Sequence, residues 1–254
     1  MSSLPNEPSS LPPGSEISSP EADRLQRELA AIHQENRRRE ENRIFSYFPD
    51  QGPYRRALYP KHLQHFRMGA IRRERLFLAG MRVGKTLAGA VEMTYHLTGM
   101  YPPWWEGKRF SGPVRAVASG DTAKNTRDFI QHPLFGLPDD LGTGLIPKAA
   151  IVRTTPKHGL AEAYDTAYIR HLTGGVSRLT LKSYDQGVRA YYGTAEEIEW
   201  EDEDPPLEIH TPCLIRTMTT GGIVYVTLTP LEGRTAFIDE FLRTAVNREE
   251  LEYR

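Results

Sequence analysis

The stretch Arg75-Leu-Phe-Leu-Ala-Gly-Met-Arg-Val-Gly-Lys-Thr86 decides the fold of this 254-residue chain. Its apolar first half predicts a strand over 75–79, and the helix formers after it predict a helix over Lys85–Thr98. A glycine-containing turn between a strand and a helix N-terminus suits phosphate, because unpaired backbone N–H groups face the anion there. The stretch therefore predicts a P-loop with these nucleotide-binding residues: Gly80, Met81, Arg82, Val83, Gly84, Lys85 and Thr86.

Lys85 and Thr86 carry the chemistry expected of this loop. In P-loop proteins the lysine reaches the β- and γ-phosphates, and the Ser or Thr hydroxyl holds Mg²⁺. The loop departs from the usual G-x-x-x-x-G-K-[ST] pattern, because Ala79 occupies the first glycine position and Gly80 lies one place later. An ordinary strand-to-helix turn with a surface lysine is the alternative. The flanking strand and helix favour the nucleotide site.

A second segment, Ile198-Glu-Trp-Glu-Asp-Glu-Asp-Pro-Pro206, places an Asp-Glu pair at the end of a predicted strand over Ile198–Asp202. Asp202 is predicted to bind Mg²⁺, and Glu203 to orient and activate the attacking water. A central parallel strand is normally apolar throughout, whereas Glu199 and Glu201 interrupt this one. Taken alone, the segment fits an acidic surface loop better. Paired with the P-loop, it favours the metal site.

The charge of the chain is split locally although its net value is −1. Nine basic residues and one acidic residue lie within 54–85, and eight acidic residues and no basic ones within 196–208. Such runs fit a site for polyphosphate and a divalent cation, or two solvated faces. The single cysteine, the lack of a secretory signal and the lack of an apolar run of about 20 residues favour a soluble cytosolic protein without a membrane span.

Strands and helices alternate through the rest of the chain. Further strands are predicted at 114–119, 178–183 and 222–229, and further helices at 122–135, 207–218 and 235–245. This alternation predicts an α/β fold, a P-loop NTPase with a mainly parallel, doubly wound sheet flanked by helices. Thr229 follows the most apolar strand and points to the crevice where such sheets bind ligands. A turn-initiating Thr-Pro is the alternative there.

Together these segments resemble the large terminase subunit of tailed phages, the ATPase that pumps DNA into procapsids. The resemblance spans residues 45 to about 240 and is carried by five segments: 58–63, 75–86, 181–187, 202–206, and 216–222 leading to Thr229-Pro-Leu231. It implies ATP and Mg²⁺ as cofactors, with Lys85, Thr86 and Asp202 on phosphate and metal. It also implies Glu203 as the catalytic carboxylate and Thr229 as part of the motif that couples hydrolysis to movement. Adenine contacts would come from an aromatic and a glutamine, for which Tyr59 and Gln64 are the candidates.

The implied function is that of a motor domain that hydrolyses ATP and translocates double-stranded DNA into a procapsid in the host cytoplasm. Like subunits in a ring, a portal protein and a small terminase subunit are the implied partners. Arg82 is the candidate within the chain for the catalytic cation, and Arg178 and Arg189 are candidates to reach a neighbouring subunit. Nuclease activity is not expected, because only 24 residues follow Thr229-Pro230.

Three parts are predicted along the chain. Residues 1–19 form a disordered Ser/Pro-rich tail, residues 20–44 an N-terminal docking helix with a thin apolar stripe, and residues 45–254 the P-loop ATPase domain. Two other functions remain open from sequence. One is a helicase or another nucleic-acid-stimulated P-loop ATPase. The other is a docking fragment of a terminase that binds nucleotide or nothing and does not catalyse.

Overall fold

A computed structural model describes residues 20–41, 43–231 and 233–252. The chain separates into two compact units, one up to residue 38 and one from residue 39 onward. Helix α1 (Pro20–Glu41) forms where the sequence predicts a helix. Its predicted apolar stripe, formed by Leu25, Leu29 and Ile32, is more than half exposed. The predicted tail at 1–19 lies outside the described residues.

A seven-stranded sheet forms the centre of the second unit. Its strands are β1 (Glu74–Leu78), β2 (Arg115–Gly120), β3 (Ile151–Pro156), β4 (Tyr164–Arg170), β5 (Val176–Ser183), β6 (Ile198–Asp202) and β7 (Ile223–Leu228). Their order across the sheet is β1-β7-β6-β2-β5-β4-β3. The β1–β7, β7–β6, β6–β2 and β2–β5 pairings are parallel. The β5–β4 and β4–β3 pairings are antiparallel. The predicted fold class is therefore confirmed, with an added antiparallel β3–β4 hairpin that the sequence did not reveal.

Six helices connect and cover these strands in the described part of the second unit. They are α2 (Pro60–Met68), α3 (Lys85–Thr98), α4 (Ala123–Asn125), α5 (His132–Phe135), α6 (Leu207–Met218) and α7 (Ala236–Glu252). The bounds of α3 and α6 match the predicted ones, whereas α2 was not predicted. The single helix predicted at 122–135 is interrupted by a π-helical segment, Thr126–Gln131, between α4 and α5.

The two faces of the sheet are covered by different helices. Helix α3 is almost entirely buried, and its face of the sheet carries Trp200 of β6 and Tyr225 of β7 in the main hydrophobic core. On the other face, Val226 and Leu228 of β7 pack with the start of α7. Both β6 and β7 are buried along their whole length, so the alternation of side chains along them assigns each residue to one helical layer.

The strand order brings three sequence motifs to one edge. Strands β1, β7 and β6 are parallel neighbours, so their carboxyl ends lie side by side. Leu78 of β1 is paired with Leu228 of β7, and Asp202 of β6 with Thr227 of β7. The P-loop, the acidic segment and the Thr-Pro segment therefore leave the sheet next to one another.

Within the described ranges, none of the helices combines the length and the apolar character needed to cross a membrane.

Candidate active site

The P-loop joins β1 to α3 and has an unusual backbone. Gly84 precedes α3 with φ 85°, a left-handed conformation that glycine adopts without steric cost. Arg82 has φ 58°, which is uncommon for a residue with a side chain. The ammonium of Lys85 donates to the carbonyl oxygen of Gly80 at 2.7 Å, so it lies across the loop. Arg82 itself is exposed and forms no ion pair or hydrogen bond with the residues that the structure describes.

His62 of α2 supports this loop, a contact that the sequence did not reveal. Its Nε2 lies 2.9 Å from the carbonyl oxygen of Val83. Burial lowers the pKa of His62, against the opposing effect of this hydrogen bond. Because a carbonyl oxygen can only accept, the neutral ring must carry its proton on Nε2 and donate it. Through this hydrogen bond, helix α2 holds the backbone of the P-loop at Val83.

Asp202 meets the P-loop side of the site through two hydroxyl groups. Thr86 Oγ1 donates to the carboxylate of Asp202 at 3.0 Å, and Thr227 Oγ1 donates to Oδ1 of Asp202 at 2.5 Å. Burial raises the pKa of Asp202 to about 7, although these two hydrogen bonds favour the ionised form. The structure therefore brings together the two residues that the sequence assigned to a metal.

Glu203 follows Asp202 in a strained conformation. Its φ is 68°, and it is one of four non-glycine residues with positive φ in the described ranges, Arg82 being another. Its Oε2 accepts a hydrogen bond from the backbone N–H of Thr229 at 3.2 Å, and its own N–H donates to the carbonyl oxygen of Thr227 at 2.8 Å. Strain of this kind concentrates at functional sites, where the surrounding structure holds it. Both residues predicted to act on the reacting phosphate thus have this backbone.

The donor set at this edge fits a magnesium ion and a polyphosphate. Mg²⁺ prefers oxygen ligands such as the Thr86 hydroxyl and the Asp202 carboxylate, which converge here. Burial lowers the pKa of Lys85, while the charges of Glu203 and Asp202 oppose this shift. The N-terminus of the 14-residue helix α3 adds backbone N–H groups for an anion. The arrangement is suited to cleaving a phosphoanhydride with water.

A cleft of about 520 Å³ opens beside these carboxylates. Thr86, Asp202 and Glu203 line one side of it. The π-helical segment after α4 lines another side, with Phe129 58% exposed, and Leu231 lies at the rim 72% exposed. π-helical turns occur frequently at functional sites, which agrees with the position of this one.

A separate cavity of about 550 Å³ lies between α2, the outer edge of β1 and α7. Gln64 lines it together with Leu78 and Ala79 at the entrance to the P-loop. Tyr59 does not line it, because its ring packs edge-on against His62 and Phe48, with ring centroids 5.2 and 5.4 Å apart. Of the two predicted adenine contacts, Gln64 therefore lines this cavity and Tyr59 packs on neighbouring aromatic rings.

The two glutamates that interrupt β6 are buried against α6. His210 lies between two carboxylates, with Nδ1 2.6 Å from Glu201 and Nε2 3.0 Å from Glu74. Burial alone would lower the pKa of His210, but these carboxylates raise it to about 10. For Glu199, burial raises the pKa to about 8 despite Arg216 at 3.1 Å. A buried strand thus tolerates both acids, because one is paired with an imidazolium and the other holds a proton near neutral pH.

The two arginines considered for a neighbouring subunit lie in different places. Arg178 is in the amino-terminal half of β5 and donates to Glu196 at 2.7 Å. Since β5 is parallel to β2, this is the half of the strand away from the P-loop edge. Arg189 is exposed and follows the carboxyl end of β5. Of these two arginines, only Arg189 lies toward the carboxyl ends of the parallel strands, where the P-loop is.

Comparison with known proteins agrees with this geometry. Residues 76–251 match the family model of the N-terminal part of the terminase large subunit, T4-like virus type, which is more than half of the chain. The chain belongs to the large terminase subunit family. This terminase chain is 32% identical over 210 residues to the large terminase subunit of Salmonella phage P22. That match covers 75% of the chain and 42% of the P22 protein, so the chain spans less than half the length of that relative.

Two solved structures are similar to the terminase chain at 12% sequence identity. The large terminase of bacteriophage HK97 aligns with a TM-score of 0.52, over 83% of this chain and 42% of that protein, which supports a shared fold. The large terminase of a thermophilic bacteriophage, solved in complex with ADP, aligns with a TM-score of 0.43 over 74% of this chain and 37% of that protein.

Proposed function

We propose that the chain binds Mg²⁺·ATP at the carboxyl edge of its sheet, hydrolyses the ATP, and uses this reaction to move double-stranded DNA into a procapsid. The observation that carries the proposal is the contact between Thr86 and Asp202, whose side chains hydrogen-bond although they lie 116 positions apart in the sequence. A hydroxyl at a helix N-terminus beside a strand-end carboxylate is the arrangement that holds Mg²⁺ in P-loop NTPases. Membership in the large terminase family supports DNA packaging as the purpose of the reaction.

Each polar group at this edge has a distinct task in the proposed reaction. Lys85 and the N–H groups at the start of α3 hold the phosphates, while Thr86 and Asp202 hold Mg²⁺. When bound, the cation neutralises negative charge on the phosphate oxygens. Glu203 orients a water toward the γ-phosphorus and accepts its proton, and the Thr229 N–H fixes the Glu203 carboxylate for this purpose. That hydrogen bond also gives Thr229 a physical route to sense hydrolysis.

Arg82 is proposed to neutralise the charge that develops on the transferred phosphoryl group. It is exposed at the tip of the P-loop and has no partner among the described residues, so its guanidinium is free to approach a phosphate. Its positive φ is uncommon for a residue with a side chain, as at other functional sites where the surrounding structure holds such a backbone. Arg189 stays a candidate to act on the site of a neighbouring subunit.

The adenine is proposed to enter the cavity between α2, β1 and α7. Gln64 lines this cavity, and its amide supplies both a donor and an acceptor for the edge of a base. Leu78 and Ala79 connect the cavity to the P-loop, which suits a ligand whose base and phosphates are bound together. Tyr59 packs against His62, whose Nε2 contacts the loop, and it stays the aromatic candidate for contact with the base.

Like subunits in a ring are the proposed assembly. Four large apolar side chains around the nucleotide edge are exposed: Met81, Val83, Phe129 and Leu231. Exposed apolar side chains clustered at a polar site are typical of a surface that a partner covers. A portal protein and a small terminase subunit are proposed as further partners, by membership in the family.

Steady-state ATP hydrolysis across a range of protein concentrations, with and without duplex DNA, tests this proposal. We expect turnover that needs Mg²⁺, rises more than linearly with protein concentration and disappears in Lys85→Ala. Lys148→Ala is a matched control, because Lys148 is exposed and lines neither of the two cavities described above. Nucleotide binding without turnover at any concentration would favour a docking fragment instead. Strand separation of duplex DNA would favour a helicase.

A further inference from the structure

A buried chain of hydrogen bonds leads from an indole ring to Asp202. The Nε1–H of Trp200 donates to Thr227 Oγ1 at 2.8 Å, and Thr227 Oγ1 donates to Asp202 Oδ1 at 2.5 Å. The three side chains are at most 5% exposed. Asp202 and Thr227 are paired residues of adjacent strands, so the register of β6 and β7 aligns them. Neither Trp200 nor Thr227 has a role in the function proposed above.

The chemistry of the three groups fixes the direction of this chain. An indole N–H can only donate, so Thr227 Oγ1 must accept from Trp200. The single hydroxyl proton of Thr227 is then directed to the one acceptor within reach, Oδ1 of Asp202. One oxygen of the carboxylate is thereby held from the sheet side, while Thr86 approaches the same carboxylate from the P-loop side.

The indole ring that starts the chain is itself immobilised by packing. It stacks on Tyr225 with ring centroids 6.0 Å apart and an interplanar angle of 16°. The ring also lies against Gly89 of α3, where an added Cβ would come within 2.5 Å of it. The hydroxyl of Tyr225 donates to the carbonyl oxygen of Gly89 at 3.0 Å, so the two residues that contact the indole are also hydrogen-bonded to each other. A glycine is needed at this point of α3 so that the indole can reach Thr227.

We propose that Trp200 and Thr227 are positioning residues that hold the Asp202 carboxylate in the orientation that binds Mg²⁺. The inference rests on the proposed function, because it assigns Asp202 to the metal. Hydrogen-bond partners of a metal-binding carboxylate fix its orientation, and losing one typically weakens metal affinity about 10–100-fold. The polar hydroxyl of Thr227 in an otherwise apolar strand has the same explanation.

The test measures Mg²⁺ affinity directly, through the fluorescence of mant-ADP bound to the protein as Mg²⁺ is titrated. Thr227→Val keeps the shape of the side chain and removes the hydroxyl. We expect it to raise the Mg²⁺ concentration needed for the half-maximal fluorescence change by about 10-fold or more. Thr227→Ser keeps the hydroxyl and should stay near the wild type. Trp200→Phe keeps the aromatic ring and should have an intermediate effect. Binding of mant-ADP in EDTA should be unchanged in all three variants.

The outcomes separate this inference from the proposed function. A wild-type Mg²⁺ dependence in Thr227→Val overturns the inference and leaves the proposed function standing. Equal weakening of mant-ADP binding with Mg²⁺ and in EDTA also overturns it, because the residue would then be structural only. If Thr227→Val does not fold by circular dichroism, Trp200→Phe carries the test, and an unchanged Mg²⁺ dependence in it overturns the inference. No Mg²⁺ dependence in the wild type would overturn the proposed function and this inference together.

Discussion

The buried ion pair between Arg75 and Glu92 gives a prediction whose size follows from the structure. Arg75 donates to both oxygens of Glu92, at 2.6 and 3.2 Å, and the side chains are 4% and 0% exposed. Burial alone would raise the pKa of Glu92, but Arg75, with help from two histidines, lowers it to about 2. The pair joins β1 to α3, the elements on either side of the P-loop. Although Arg75 lies in the basic run of the sequence, the structure assigns it to the core.

Replacing Arg75 by Met removes the counter-charge and keeps an apolar stem of similar length. Removing one partner of a buried pair typically costs about 3–5 kcal/mol of unfolding free energy. At roughly 2–4 °C per kcal/mol for a domain of this size, we expect the Tm to fall by about 10 °C. Arg67→Met is the matched control, since its 3.8 Å pair with Glu106 is exposed and such pairs contribute about 0–1 kcal/mol. Thermal unfolding followed by circular dichroism at pH 7 measures both.

The Arg75→Met variant leaves the Glu92 carboxylate buried without its counter-charge, and this gives two further checks. Adding Glu92→Met removes that charge and should restore most of the lost stability. Lowering the pH from 7 to 5 should also reduce the Tm difference between Arg75→Met and the wild type. The reason is that an unpaired buried carboxyl, here that of Glu92, takes up a proton at a higher pH than a paired one. Equal Tm values for Arg75→Met and Arg67→Met, or no recovery in the double variant, would show that the buried pair does not stabilise the fold in this way.

Three further predictions concern the packing, the buried charges and the P-loop. Gly89→Ala places a Cβ within 2.5 Å of Trp200 and should lower the unfolding free energy by about 1–3 kcal/mol. A Cβ at Gly112 would meet no atom of the described residues within 4 Å, so Gly112→Ala should leave the unfolding free energy unchanged. Chemical denaturation measures both variants. The raised pKa of His210, about 10, adds stability that is complete below pH 6.5 and lost as the pH rises through 10, so the Tm deficit of His210→Gln should close over that range. Arg82→Ala should lower ATP turnover with little change in mant-ATP affinity, and lost affinity in a folded variant would instead assign Arg82 to phosphate holding.

The elements that the sequence predicted well are those with strong local signals. The P-loop, α3 and β6 are set by glycine placement, helix formers and alternation over a few residues, and the structure has α3 and β6 at the predicted bounds. Strands β3 and β4 were missed because they lie at the sheet margin, where β3 is half exposed and carries no continuous apolar run. Helix α2 was missed because its nine residues contain basic and polar groups that resemble a loop.

The contacts that hold the site were beyond sequence reasoning because they depend on strand register. Trp200 and Thr227 are 27 residues apart, and only the pairing of β6 with β7 brings them together. The same holds for Glu201, whose partner His210 comes from the helix that covers its face of the sheet. The alternation along β6 correctly separated the two faces, but it did not reveal that α6 supplies compensating charge to one of them.

Nucleotide binding and ATP cleavage, compared in Glu203→Gln and Lys85→Ala, test the assigned site of hydrolysis. We predict that Glu203→Gln binds mant-ATP with Mg²⁺ like the wild type yet hydrolyses ATP at least about 100-fold more slowly, as expected when a general base is lost. Lys85→Ala should lose the binding as well, because the phosphates lose their ammonium. Hydrolysis at the wild-type rate by Glu203→Gln would contradict the assignment of this edge of the sheet as the site of ATP cleavage.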